Sequence, residues 1–93
     1  MAGIDAIQYA GQETLSFKQL DELNGVQKGT AFRVFKRQRE QLVEQADYFY
    51  LPGSEHEAFI ESLKGAGQIY RSTTNLVLLT RSGYQRLLSL SAE

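Results

Sequence analysis

The sequence predicts a small α+β domain with an N-terminal β-hairpin, a helix-turn-helix, and a late strand pair with a closing helix. Three observations predict it. Ile7-Gln8-Tyr9 and Thr14-Leu15-Ser16 alternate apolar and polar residues, the period of a half-buried strand. Ser16 to Leu42 reads as a helix, a glycine turn and a second helix. Strand-forming runs at Asp47–Leu51 and Asn75–Thr80 then flank a helical segment, and an apolar-spaced segment closes the chain. Ninety-three residues suffice for one core, not two.

Taken in order, Ala10-Gly11-Gln12-Glu13 is the expected hairpin turn. Ser16 offers an N-cap, and Gln19 three residues later completes a capping box. Phe17, Leu20 and Leu23 recur at helical spacing and are expected in the core. Asn24-Gly25 ends this helix, with Gly25 suited to a left-handed turn, and Val26 is expected to plug the space between the helices. Four residues before the turn glycine such motifs favour a small apolar residue, whereas this chain has Asp21.

The second helix is expected over about 30–42, with Thr30 as N-cap. Projected at about 100° per residue, it divides into two faces. Ala31, Val34, Phe35 and Leu42 share one side; Arg33, Lys36 and Arg37 cluster opposite, and Phe32 and Arg39 fall on a flank. Pro52-Gly53 stops the aromatic strand, and Ser54 with Glu57 forms a second capping box before Phe59, Ile60 and Leu63. Gly65-Ala66-Gly67 ends that helix. Short strands near 68–70 and 75–80 are expected around the polar tip Arg71-Ser72-Thr73-Thr74, followed by a helix packed through Leu87, Leu88 and Leu90.

Charge points to function. Lys28, Arg33, Lys36, Arg37 and Arg39 place five of the ten Lys and Arg in a twelve-residue window, in a chain of net charge −1. No Asp or Glu interrupts them, although like charges on one helix repel. A surface that meets a polyanion gains from such crowding. Glu40 to Glu61 carries six acids and no Lys or Arg, so two faces of opposite sign are expected. The balanced total argues against a histone-like, uniformly basic binder.

The order of hairpin, helix-turn-helix, aromatic strand and late strand-helix resembles the KilA-N superfamily of phage DNA-binding domains. More specifically, it resembles the N-terminal domain of phage antirepressor-type proteins. Phe17 to Arg37, Ala46-Asp47-Tyr48-Phe49-Tyr50-Leu51 and Leu78-Leu79-Thr80-Arg81-Ser82-Gly83-Tyr84 carry the likeness. The resemblance implies a compact winged-helix-like domain that binds DNA in phage or prophage regulation, inside the bacterial host cell, with no catalytic residues. Family members often continue into a second, C-terminal domain. Both a fragment and a stand-alone module therefore fit a chain ending at Glu93.

In this reading Lys28, Arg33, Lys36 and Arg37 contact phosphates and base edges of double-stranded DNA, Arg pairing bidentately with guanine. Gln27 and Thr30 stand where the second helix reaches deepest into the major groove. Arg39 is a backbone contact or the partner of an acid, and Arg71 is a wing contact or a solvated turn residue. The competing reading is an antirepressor-type interaction module, whose basic helix meets an acidic protein or whose acidic face meets a basic one. A homodimer is open to either, with an exposed residue of Tyr48–Leu51 as the expected contact.

Other chemistry has little support. Tyr48, Phe49 and Tyr50 as a stacking platform for single strands compete with strand alternation into a core. Gly65-Ala66-Gly67 lacks the Lys-Ser/Thr of a phosphate loop. His56, between Glu55 and Glu57, is expected to be exposed, and neighbouring helical side chains diverge too far to form a site. No nucleophile-base constellation can be assembled, so no enzyme and no cofactor are expected. The chain has no Cys, which excludes thiol zinc sites and fits the cytoplasm. Met1-Ala2-Gly3-Ile4-Asp5 is not a signal peptide, and Leu76–Leu79 is too short to span a bilayer, so no membrane partner is expected.

Overall fold

A computed structural model describes residues 6–91. Four strands, β1 (Ile7–Tyr9), β2 (Gln12–Leu15), β3 (Tyr48–Leu51) and β4 (Leu76–Thr80), form one antiparallel sheet of order β1-β2-β4-β3. Four helices, α1 (Phe17–Asn24), α2 (Thr30–Gln38), α3 (Gly53–Gly65) and α4 (Arg81–Ser91), cover its two faces. The Met1–Asp5 segment and the Leu88 and Leu90 side chains lie outside what is described.

The α+β class, N-terminal hairpin, late strand and closing helix all agree with the sequence. The hairpin turn is tighter than expected: only Ala10 and Gly11 connect the strands, both at positive φ (53° and 77°). That pair of left-handed residues suits the twist of a two-residue hairpin. Gln12 and Glu13 belong to β2.

β4 is buried along its whole length because both faces of the sheet are covered. Val77 and Leu79 enter one cluster with Leu20, Ala31, Phe35, Leu42, Tyr48 and Leu87. Leu76 and Leu78 enter the other with Ile7, Leu51, Ile60, Leu63 and Ile69. Two-sided burial explains the uninterrupted apolar run Leu76-Val77-Leu78-Leu79. It also divides the aromatic strand: Tyr48 packs edge-on against Phe35 (5.0 Å), and Phe49 packs against Tyr9 (5.0 Å) in the other cluster. Tyr50 is left exposed.

Several local expectations change. Gln68–Tyr70 is not a strand, so Arg71 has no two-stranded wing to sit on. The reason is topological: β2 and β3 occupy both edges of β4. The second helix stops at Gln38 and continues as a 3-10 turn over Arg39–Gln41, short of the expected end at Leu42. Its N-cap is Gly29, not Thr30. α3 starts one residue before Ser54, with Pro52 at the N-cap and no side-chain cap, so the second capping box does not form. His56 is partly buried and sits at a kink in α3 (φ −130°, ψ 30°).

Candidate nucleic-acid interface

α1 and α2 are joined as a helix-turn-helix, and each end of α1 has a local cause. Ser16 accepts from the Gln19 backbone N–H (3.2 Å), while the Ser16 N–H donates to Gln19 Oε1 (3.0 Å). The Ser16 hydroxyl also donates to the carbonyl of Gln68 (2.6 Å), tying the start of α1 to the loop after α3. At the other end Gly25 is left-handed (φ 63°), and the Val26 N–H returns to the Asp21 carbonyl (3.0 Å). These are the capping box and glycine stop read from the sequence.

Asp21 was the position out of pattern, and it organises the motif. Its carboxylate is buried and accepts from the Gly29 N–H through Oδ2 (2.8 Å) and the Ala31 N–H through Oδ1 (2.8 Å). One helix thereby caps the other, satisfying N–H groups that the first turn of α2 leaves open. The negative charge also opposes the positive end of the α2 dipole. The Tyr70 hydroxyl donates to Asp21 Oδ2 (2.5 Å), bringing the loop after α3 into the same assembly. Burial first, and then the bonded Asp21 carboxylate, push the Tyr70 phenol up to about 12 from 10.0.

Leu23 and Val26, expected inside, are exposed at 50% and 43%. The carboxylate of Asp21 makes the connection between the helices that Val26 was expected to make.

On α2 the expected core face is confirmed: Ala31 and Phe35 are buried, and Val34 packs against them. Leu42, beyond the helix, joins the same cluster. Arg33, Lys36 and Arg37 are exposed, as are Gln27, Lys28 and Arg39; Thr30 is half-buried. The cations separate into two groups. Lys28, Lys36 and Arg39 border a groove of about 580 Å³ that includes Phe32, Phe35 and Tyr48. Lys28 stands over the Tyr70 ring (4.9 Å) and Lys36 over the Phe32 ring (5.4 Å). Phe32, itself 47% exposed, is held by Phe17 at 5.5 Å.

Arg33 and Arg37 do not line that groove. Neither is in an ion pair among the described residues, whose ion pairs are Lys64–Glu61 and Arg86–Asp47. Arg71 is exposed in the loop between α3 and β4 and lines a separate hollow with Lys18, Lys28 and Lys64. Lys18 and Lys64 were not singled out from the sequence, because each stands alone among uncharged or acidic neighbours.

Among the described residues, no group of three His, Asp or Glu side chains is placed to hold a metal ion. No described helix is long and apolar enough to cross a membrane. In comparison with known families, the model of the ORF6N domain matches residues 5–90. No curated protein and no solved structure gives a match.

Proposed function

The chain belongs to the ORF6N domain family, and from that premise we propose that it is a DNA-binding domain of a phage or prophage regulator. ORF6N domains occur in phage- and prophage-type proteins and are related to KilA-N and phage antirepressor N-terminal domains. The observation that carries the reading is the outward side of α2. Arg33 and Arg37 are exposed there without acidic partners, while Asp21 and Phe35 hold the opposite side in place. A helix fastened on one side and basic on the other suits the major groove.

In this proposal Arg33 and Arg37 read base edges, with Gln27 and Thr30 near the N-terminal end of the helix. Lys28, Lys36 and Arg39 meet phosphates on its flank. The exposed acids Glu55, Glu57 and Glu61 on α3 favour a second reading, contact with a basic protein surface in antirepressor fashion.

Selection from a random-sequence duplex pool, followed by sequencing, separates the two. A DNA reader enriches a motif, and Arg33→Ala or Arg37→Ala weakens or relaxes that preference. Binding without enrichment removes the sequence-reading proposal and leaves the protein contact to be tested.

A further inference from the structure

The N-terminus of α2 would ordinarily be a ready site for a phosphate, because its free N–H groups and dipole favour anions. In this chain Asp21 already takes the Gly29 and Ala31 N–H groups and supplies the negative charge. Phosphate contacts beside that end of the helix must therefore come from side chains.

Four cations stand around a hollow of about 500 Å³ next to it: Lys18 from α1, Lys28 from the turn, Lys64 from α3 and Arg71 from the following loop. No Asp or Glu lines it. The far wall is Gly65-Ala66-Gly67, whose small residues keep the hollow open to a bulky anion. Two positions are fixed from within. Lys18 Nζ donates to the Gly67 carbonyl (2.8 Å), and the Lys28 ammonium rests over Tyr70, which is tied to Asp21. Glu61 reaches Lys64 (3.3 Å) from outside the hollow, with its own side chain 62% exposed.

Cations gathered from four segments, α1, the turn, α3 and the loop after it, repel one another around this open space, and the contacts with Gly67, Tyr70 and Glu61 do not neutralise it from within. We propose that this hollow is a second DNA contact, where Lys18, Lys28, Lys64 and Arg71 grip the sugar-phosphate backbone bordering the major groove. The inference rests on the DNA-binding reading of α2. It adds a contact that is independent of base sequence and anchors the N-terminal end of the reading helix.

The test uses the whole chain and a fluorescent random-sequence duplex pool, with affinity measured at several salt concentrations. A Lys18→Ala/Lys64→Ala double variant is compared with Lys64→Ala alone and with Arg81→Ala, which removes an exposed cation outside both patches. Each lost phosphate contact flattens log K against log salt by about 0.9. The double variant should therefore cut the affinity lost between about 50 and 200 mM salt by roughly tenfold relative to wild type. Lys64→Ala should give about half that change in slope, and Arg81→Ala none. Base preference in the selected motif should stay as in wild type.

If wild type enriches a motif while both lysine variants keep its salt slope, the hollow is not a DNA contact and the role of α2 stands. If the slope change is matched by Arg81→Ala, the effect is one of net charge and the inference fails. If wild type binds no duplex, both readings fall.

Discussion

A methyl group added to Gly83 would stand 1.7 Å from the carbonyl oxygen of Asp47. The backbone of α4 thus lies directly on the residue that precedes β3. That carbonyl also accepts from the Thr80 N–H (3.0 Å) and hydroxyl (3.1 Å). The Asp47 carboxylate accepts from the Ser82 hydroxyl and the Val43 N–H (2.9 Å each) and faces Arg86 Nε at 3.5 Å. Two of the segments that carried the family likeness therefore meet at one buried acid, where they hold the closing helix onto the sheet.

Gly83→Ala should destabilise the domain by about 3 kcal/mol, because relief would require moving backbone on both sides. Gly65→Ala, with nothing within 4 Å of the added methyl, should be neutral or stabilise by up to about 1 kcal/mol. Urea unfolding of both variants checks the contrast.

Asp21→Ala should cost about 3 kcal/mol, since it strands the Gly29 and Ala31 N–H groups and the Tyr70 hydroxyl together. Asp21→Asn keeps one carbonyl acceptor and should lose less. Amide hydrogen exchange at Gly29 and Ala31 should accelerate in the Ala variant more than exchange in β4, because the cap is local to α2.

The raised phenol of Tyr70 gives a pH dependence of definite sign. The fold favours the neutral phenol, so this contribution to stability is complete below pH 10.0 and is lost as pH rises through about 12. An alkaline titration followed by phenolate absorbance should contain a component near 12 that disappears in Tyr70→Phe. If the two titrations coincide in that range, the burial of Tyr70 and its bond to Asp21 do not persist together in solution.

The two sides of α2 should respond oppositely. Phe35→Ala should cost about 3–5 kcal/mol of stability, because the ring fills the space between Phe17 and Tyr48. Arg33→Ala should leave unfolding within about 0.5 kcal/mol. Its effect should appear instead as a loss of about 1–3 kcal/mol in binding the selected duplex, if the side chain reads a base.

Several local signals were legible because their determinants lie close by in sequence. The Ser16–Gln19 box, the left-handed Gly25 and the apolar face of α2 all depend on neighbours within a turn or two. Leu23 shows where a short pattern misleads. Three-residue steps fall 60° short of a full turn each time, so Phe17, Leu20 and Leu23 drift around the helix, and the third emerges into solvent. Asp21 could not be interpreted locally, because its partners lie at Gly29, Ala31 and Tyr70. The strand expected at residues 68–70 failed for the same kind of reason: only the sheet order reveals that β4 has no free edge. The basic stripe was visible as composition, but its division between an outward face and a groove required the direction of each side chain.

The cap from Asp21 separates what orients α2 from what α2 presents outward. The residues that aim the helix are Asp21 on α1, the turn, Tyr70 and the buried Phe35 on the inner side of α2, and none of them is Arg33, Lys36 or Arg37. Changes on the outward face can therefore accumulate without disturbing the helix's placement. Under the DNA-binding proposal, a new operator would then need only a few surface substitutions on a constant scaffold, and transplanting that face from a related chain should transfer target preference with it.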